Sequence, residues 1–521
     1  MLRLTVLLLC CFPTLLSARS SDSPHDQEAA KFWIVLTAKN PGTVPALSAI
    51  SLQQRHAQGL AIDDTDRPLS EAYLQQLIQA GVKPLCRSRW FNAVSAQLTP
   101  AQQKQLRQLS FVKELVPIDR NLIVTSLPHT NGSRPQMAPV MNQIQASEFA
   151  NAGLTGRFVQ VGVLDAGFFG ADSASALKHV FARQGVHIVR DYVNAKKTRN
   201  DLFHTLESMS DFHGTEVFAA IAGLDPADNM QYGLATDATF YLARTDQGNR
   251  EFRGEEDNWV QAIEWLDSLG VRLVNTSLGY ARGFTDPKEN YEPRQMDGHT
   301  SLISRAAQLA ADKKGMLIIV SAGNEGDDRN WRIISTPADA QGVLAVGATN
   351  SRLWNRIGYS SIGPESLPYL KPNVSCFSLY GTSLSAPVIT GFAACIMQAN
   401  PKLTNRQVIE LIEKSAHLYP YGNNFVGYGV PQASRVLAML RKQELPATAR
   451  TVTATGRAIT MPITLTDSKE TVSIFRKKDA THVLQQDALK ATNGKLTIKR
   501  INGETRTTVD LKKEVIEVIW Q

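Results

Sequence analysis

Residues 159–167 read Val-Gln-Val-Gly-Val-Leu-Asp-Ala-Gly. The apolar run 159–164 predicts a strand, and Asp165 stands at its carboxyl end. Ala166 and Gly167 are small enough to let the chain turn there. In open α/β sheets, catalytic and ligand groups collect at the carboxyl ends of strands. The same apolar pattern recurs downstream over 240–243, 273–275, 316–320 and 343–346. Helical spacing falls between these runs, over 217–222, 259–268, 302–312 and 387–398. Continuous apolar strands alternating with helices predict a parallel sheet covered by helices on both faces, an α/β fold spanning 138–445.

The regions outside this one differ in character. Residues 31–120 predict a small α+β domain, with strands over 32–36, 90–98 and 111–116 and helices over 69–80 and from Pro100. Thr99-Pro100 is a capped helix start with proline in its first turn. Residues 121–137 are rich in Pro, Gly, Ser, Thr and Asn and read as a linker. Residues 446–521 hold fourteen threonines in alternating patterns and predict a small all-β domain. At 521 residues, with 43% apolar and 20% charged, several soluble globular domains are expected. Of the net charge of +7, about +5 sits in the last 76 residues, so no concentrated basic face points to nucleic acid.

The first eighteen residues read as an export signal, with Arg3 ahead of an apolar stretch and Ser17-Ala18 near a cut. That stretch is too short to span a bilayer, and no membrane span is expected elsewhere. Beyond it the chain keeps Cys86, Cys376 and Cys395, an odd number that excludes a full disulfide framework. Cys395, in an apolar helical run, reads as a packing residue.

Three more segments carry chemistry. His213-Gly214-Thr215 opens an apolar helix, with Gly214 leaving room beside the imidazole. Gly381-Thr382-Ser383-Leu384-Ser385-Ala386-Pro387 sets Ser383 in the first turn of another helix. There backbone N–H groups and the helix dipole favour developing negative charge. A serine needs a base to become a nucleophile. Ser321-Ala322-Gly323-Asn324 ends a strand and presents an amide suited to an oxyanion.

Asp165-Ala166-Gly167, His213-Gly214-Thr215, Ala322-Gly323-Asn324 and the Ser383 segment, in this order, resemble the subtilisin-like serine protease family, in its secreted bacterial form with an inhibitory propeptide. The order Asp, His, Ser is that of subtilisin. Asn275-Thr276-Ser277-Leu278-Gly279, 359–364, 371–373, Glu255-Glu256-Asp257-Asn258-Trp259 and Met296-Asp297-Gly298 are similar too. Ser88-Arg89-Trp90-Phe91-Asn92-Ala93-Val94-Ser95 is similar to the propeptide. The resemblance implies a serine endopeptidase with Ser383 as nucleophile, His213 as base and Asp165 as its orienting partner. It further implies Asn324 in the oxyanion hole and Ser277, Leu278, Gly279, Ala322 and Gly323 as substrate-binding residues. Peptide or protein substrates and the chain's own propeptide, as inhibitor, are the implied partners. No cofactor is implied for the chemistry. Structural calcium occurs in the family, but no ligand set can be named from these residues.

Two departures stand out. Ala166 replaces the commoner threonine beside Asp165. Between Lys371 and Gly381 only 372–380 intervene, where relatives carry a loop and a strand. The expectation is a missing strand beside the nucleophile, which motivates a rival reading: a catalytically impaired scaffold that binds peptides or surface partners. An α/β hydrolase is excluded, because Ser383 lacks the Gly-x-Ser-x-Gly context and the reversed triad order of that fold.

Overall fold

The structure is a computed structural model that describes residues 29–40, 42–118, 139–225, 229–247, 255–281, 290–328, 330–464 and 471–521. The expected export segment and the whole of the expected linker lie outside the described residues.

Seven parallel strands form the central sheet. From one edge to the other they are Val374–Phe377, Leu344–Thr349, Leu317–Ser321, Leu273–Thr276, Gln160–Asp165, Thr239–Arg244 and Val186–Asp191. Successive side chains along a strand point to opposite faces, and the two cores divide accordingly. Val161, Val163, Leu242 and Ile319 enter one core with Val217, Phe218, Ile221 and Phe392. Leu164, Tyr241, Ala243 and Val320 enter the other with Trp259, Ile263, Leu266 and Ile303. Helices His213–Ala222 and Ala386–Ala399 thus cover one face, and Glu256–Leu269 and Leu302–Lys314 the other.

Within 372–380, where a missing strand was expected, the strand Val374–Phe377 forms, fully buried and paired in parallel with Leu344–Thr349 at the sheet edge. Val-Ser-Cys-Phe is too short to show a period, so the pattern alone does not reveal it. The edge strand Val186–Asp191 escapes the pattern for another reason: its exposed and buried positions mix.

Among the described residues one helix, Thr382–Ala399, is apolar and long enough to cross a membrane, but 89% of that window is buried inside the chain's own core. Cys395 lies within it, buried, and Cys86 and Cys376 are likewise buried and unbridged.

The N-terminal region is a four-stranded antiparallel sheet ordered Cys86–Ser88, Ala93–Leu98, Ala30–Leu36, Val112–Ile118. The predicted strand over 90–98 begins only at Ala93. Thr99 caps Pro100–Leu106 in a capping box with Gln102. One sheet face packs Phe32, Ile34 and Val94 on Leu74, Leu77 and Leu106. From the other face Lys31 pairs with Asp257 at 2.7 Å, so this face sits on the helix Glu256–Leu269. The C-terminal region holds a five-stranded sheet and a two-stranded ribbon, Ala458–Pro462 with Lys495–Lys499. Phe475, Val483 and Val515 from it pack against Ile362, Leu418, Phe425 and Val426 of the central region.

Candidate active site

Asp165 is the last residue of Gln160–Asp165 and is 0% exposed. His213 begins the helix His213–Ala222, and its Nδ1 donates to Asp165 Oδ1 at 2.6 Å. The Ala166 N–H donates to the same oxygen at 2.8 Å. A Cβ on Gly214 would stand 2.2 Å from the Gly167 carbonyl and 3.0 Å from the Asp165 Cβ, so Gly214 makes room for the turn after Asp165.

His213 Nε2 is buried and carries no hydrogen bond among the described residues, so the nitrogen opposite Asp165 remains available to take a proton. Burial disfavours the imidazolium. The Asp165 charge and hydrogen bond, with Glu216 and Asp246 behind them, outweigh it and hold the His213 pKa above its ordinary 6.5.

Ser383 lies in the short turn Thr382–Leu384 that leads into Ala386–Ala399, and is 2% exposed. Pro387 falls in the first turn of that helix, where its missing N–H costs nothing. A Cβ on Gly381 would lie 3.1 Å from Ser383 Oγ and 3.4 Å from Asn324 Nδ2, so both groups border one small volume. Asn324 Oδ1 accepts from the Thr382 N–H at 2.8 Å and from the Thr382 hydroxyl at 3.0 Å. That makes Nδ2 the donating end of the amide.

Thr390 and Arg244 are positioning residues that sequence reasoning did not single out. The Thr382 hydroxyl also accepts from the Gly323 N–H at 3.1 Å, tying the strand end to the serine turn. Ser277 Oγ donates to the Ser383 carbonyl at 2.8 Å. Asn275 Nδ2 donates to Ser277 Oγ at 3.0 Å, and Thr390 Oγ1 to Asn275 Oδ1 at 2.8 Å. This chain fixes 277–279 against the helix that carries Ser383. Arg244 is 1% exposed; it holds the Ala166 carbonyl at 2.9 Å and pairs with Asp191, Glu207 and Asp211. A threonine in an apolar helix and an arginine ending an apolar strand are the sequence signals that mark Thr390 and Arg244.

Asp246 is a second buried carboxyl close to the site. It accepts from the Thr245 hydroxyl and, at 2.9 Å, from the Tyr280 hydroxyl. Burial and the neighbouring Asp165 charge raise its pKa to about 7. Among the described residues, no group of three or more His, Cys, Asp and Glu side chains is arranged to hold a metal ion, so no calcium site is assigned.

A parallel sheet with helices on both faces, carrying the Asp165–His213 pair at one strand end and the Ser383 turn ahead of a covering helix, is the architecture of a serine hydrolase of subtilisin type. Residues 156–429 match the subtilase family (Peptidase S8), just over half the chain, and the chain belongs to that family. It is a serine-type endopeptidase. Residues 31–133 match the Peptidase S8 propeptide domain of Bacteroidota. The chain is 27% identical to Subtilisin NAT of Bacillus subtilis subsp. natto over 360 residues, 67% of this chain and 81% of that protein. With Subtilisin DY of Bacillus licheniformis it shares 29% over 285 residues, 52% of this chain and 89% of that protein. With Subtilisin J of Geobacillus stearothermophilus it shares 26% over 397 residues, 74% and 90% of the two chains.

Proposed function

We propose that this chain is exported as a precursor and hydrolyses peptide bonds through Asp165, His213 and Ser383. The observation that carries the reading is the 2.6 Å bond from His213 Nδ1 to Asp165, which leaves Nε2 as the base. Ser383 Oγ attacks the scissile carbonyl carbon while His213 Nε2 takes its proton. The Asn324 amide and the Ser383 N–H stabilise the resulting oxyanion. His213 then gives the proton to the leaving amine as the C–N bond breaks, and the acyl group stays on Ser383. Water, deprotonated by His213, attacks the ester carbonyl, and the acid leaves as Ser383 recovers its proton. Asp165 fixes the tautomer and stabilises the imidazolium. Every step is complete without a cofactor.

An extended substrate pairs its main chain with 277–279, which provides affinity with little sequence dependence. Ala322 and Gly323 form the opposite wall of the first specificity pocket. Residues 1–18 direct export, 31–120 act as the inhibitory propeptide, and maturation cuts within 121–137. The catalytic domain occupies 138–445 and the β domain 446–521.

A fluorophosphonate probe on the secreted, processed protein tests the reading. Covalent labelling that vanishes in Ser383→Ala is expected. A folded, processed protein that neither labels nor cleaves casein is the impaired scaffold instead.

A further inference from the structure

Val483–Lys490 is the outermost strand of the five-stranded C-terminal sheet, and the central region serves its backbone. The Val483 N–H donates to Asn424 Oδ1 at 2.9 Å, and the Val483 carbonyl accepts from Arg332 at 3.1 Å. Gln486, further along this strand, makes a contact of another kind. Its Nε2 donates to the Arg356 carbonyl at 2.9 Å, and its Oε1 accepts the Arg356 N–H at 3.2 Å. One side-chain amide thus engages both backbone groups of Arg356, as a neighbouring strand would. The Arg356 guanidinium stands 5.0 Å over the ring of Phe425, which is packed with Phe475 of the β region.

Arg356 opens a segment that brackets Asn324. Its Nη1 donates to the Ser360 carbonyl at 2.6 Å. From 359–361, three hydrogen bonds reach the residues on either side of Asn324. The Ser361 N–H donates to the Gly323 carbonyl at 3.0 Å, and the Gly326 N–H to the Tyr359 carbonyl at 2.8 Å. The Glu325 N–H donates to Ser361 Oγ at 3.1 Å. The approach is close. A Cβ on Gly326 would stand 1.9 Å from the Ser360 carbonyl oxygen and 2.4 Å from Arg356 Nη1, so only glycine lets these segments meet.

An oxyanion donor works over a narrow range, about 2.7–3.1 Å from where the negative oxygen forms. A misplacement of about 1 Å caused far from the chemistry can cost about 10² in rate. Thr382 holds the side-chain end of Asn324, but 359–361 hold the backbone that carries it. Docking of the β region by itself does not require the Gln486 amide, because Phe475, Val483 and Val515 already bury apolar surface there. What the two bonds add is direction: they fix where Arg356 lies, and Arg356 fixes Ser360.

We propose that the C-terminal β region is part of the frame of the active site: Gln486 fixes Arg356, and Arg356, through Ser360, sets the turn that presents Asn324 to the oxyanion. Gln486 and Arg356 are positioning residues in this account. It rests on the role given to Asn324 under Proposed function.

The test uses the full chain, expressed and left to process, with Gln486→Ala and Asn324→Ala made singly and together. Fluorophosphonate titration to its end point counts competent sites, so kcat on a neutral peptide is read per site and a smaller folded fraction cancels. Gln486→Ala should lower kcat by about tenfold and move KM by less than about twofold, because the oxyanion exists only beyond the ground state. Gln486→Glu keeps the acceptor for the Arg356 N–H and loses the donor, so its kcat should fall between; it carries the same comparison if Gln486→Ala yields no competent sites. Asn324→Ala alone should lose about 10²–10³ in kcat, and adding Gln486→Ala to it should cost less than about twofold more. Lys478→Ala removes an exposed pair with Glu365 across the same contact and should leave kcat unchanged. An unchanged kcat in Gln486→Ala, an equal loss with and without Asn324, or a like loss in Lys478→Ala overturns the proposal and leaves the protease reading standing. Full kcat in Asn324→Ala overturns the oxyanion assignment and this proposal together.

Discussion

Ser383, His213 and Asp165 divide the work unequally, and their substitutions should show it. Ser383→Ala and His213→Ala should each abolish peptidase activity, because triad members act as a unit. Asp165→Asn should leave the geometry while slowing turnover by on the order of 10⁴. Asn324→Ala should cost about 10²–10³ in kcat, the usual loss for one oxyanion donor. The pH profile follows from His213, which must be neutral to accept the Ser383 proton. Burial lowers its pKa, but Asp165 and its neighbours raise it more, so the imidazolium persists above the ordinary 6.5. Activity should therefore be low in acid and rise to an alkaline plateau as His213 deprotonates, at a pH above that ordinary value. Asp246 adds a second, separable effect. As it ionises near its pKa of about 7, its charge favours the imidazolium. Asp246→Asn removes that charge and should move the acid limb of kcat/KM to lower pH. A limb that stays put, measured on a neutral peptide, would remove Asp246 from the account.

Among the elements, the helices Glu256–Leu269 and Leu302–Lys314 carry the most informative contact. A run of alternating charges crosses from them to the N-terminal region. Lys314 meets Asp66 at 2.8 Å, Asp66 meets Arg55 at 2.8 Å, Arg55 meets Asp267 at 2.8 Å, and Asp267 meets Arg89 at 2.5 Å. The side chains of Arg55, Asp66 and Asp267 are each at most 4% exposed. A buried charge stripped of its partner costs about 3–5 kcal/mol. Asp267→Ala leaves Arg55 and Arg89 facing each other without their shared carboxylate. Inhibition of the mature enzyme by isolated 31–120, titrated in trans, should weaken by at least about a hundredfold. No change would show that docking rests on the apolar contacts instead.

At the scale of the whole molecule, the C-terminal β region is packed into the rest and does not hang from it. Phe475 is 0% exposed against Ile362, Leu418, Phe425 and Val426. Asp510 accepts from His417 Nε2 at 3.1 Å, and Glu365 pairs with Lys478 across the same contact. Phe475→Ala should destabilise the protein by about 3–5 kcal/mol through the cavity it leaves. Thermal denaturation of the full chain reads this directly. An unchanged Tm would mean that the β region folds and docks as an independent unit.

What the sequence determined on its own was the set of groups that do local work. The apolar runs ending in Asp165 and Ser321, the helix starts at His213 and Ser383, and the Thr99 cap are written in residues a few positions apart, where period and punctuation suffice. What only the tertiary structure decided was which distant segments meet. Val374–Phe377 is a sheet strand because Leu344–Thr349 supplies its hydrogen bonds, and four residues cannot announce that alone. Ser335 and Thr336 join two strand ends because their backbone groups pair with Ala322 and Tyr280, which lie far apart in sequence. Asp246 becomes a titrating group near neutrality because folding removes water from it beside Asp165. Long-range pairing and desolvation depend on the closed fold, and no window of sequence contains them.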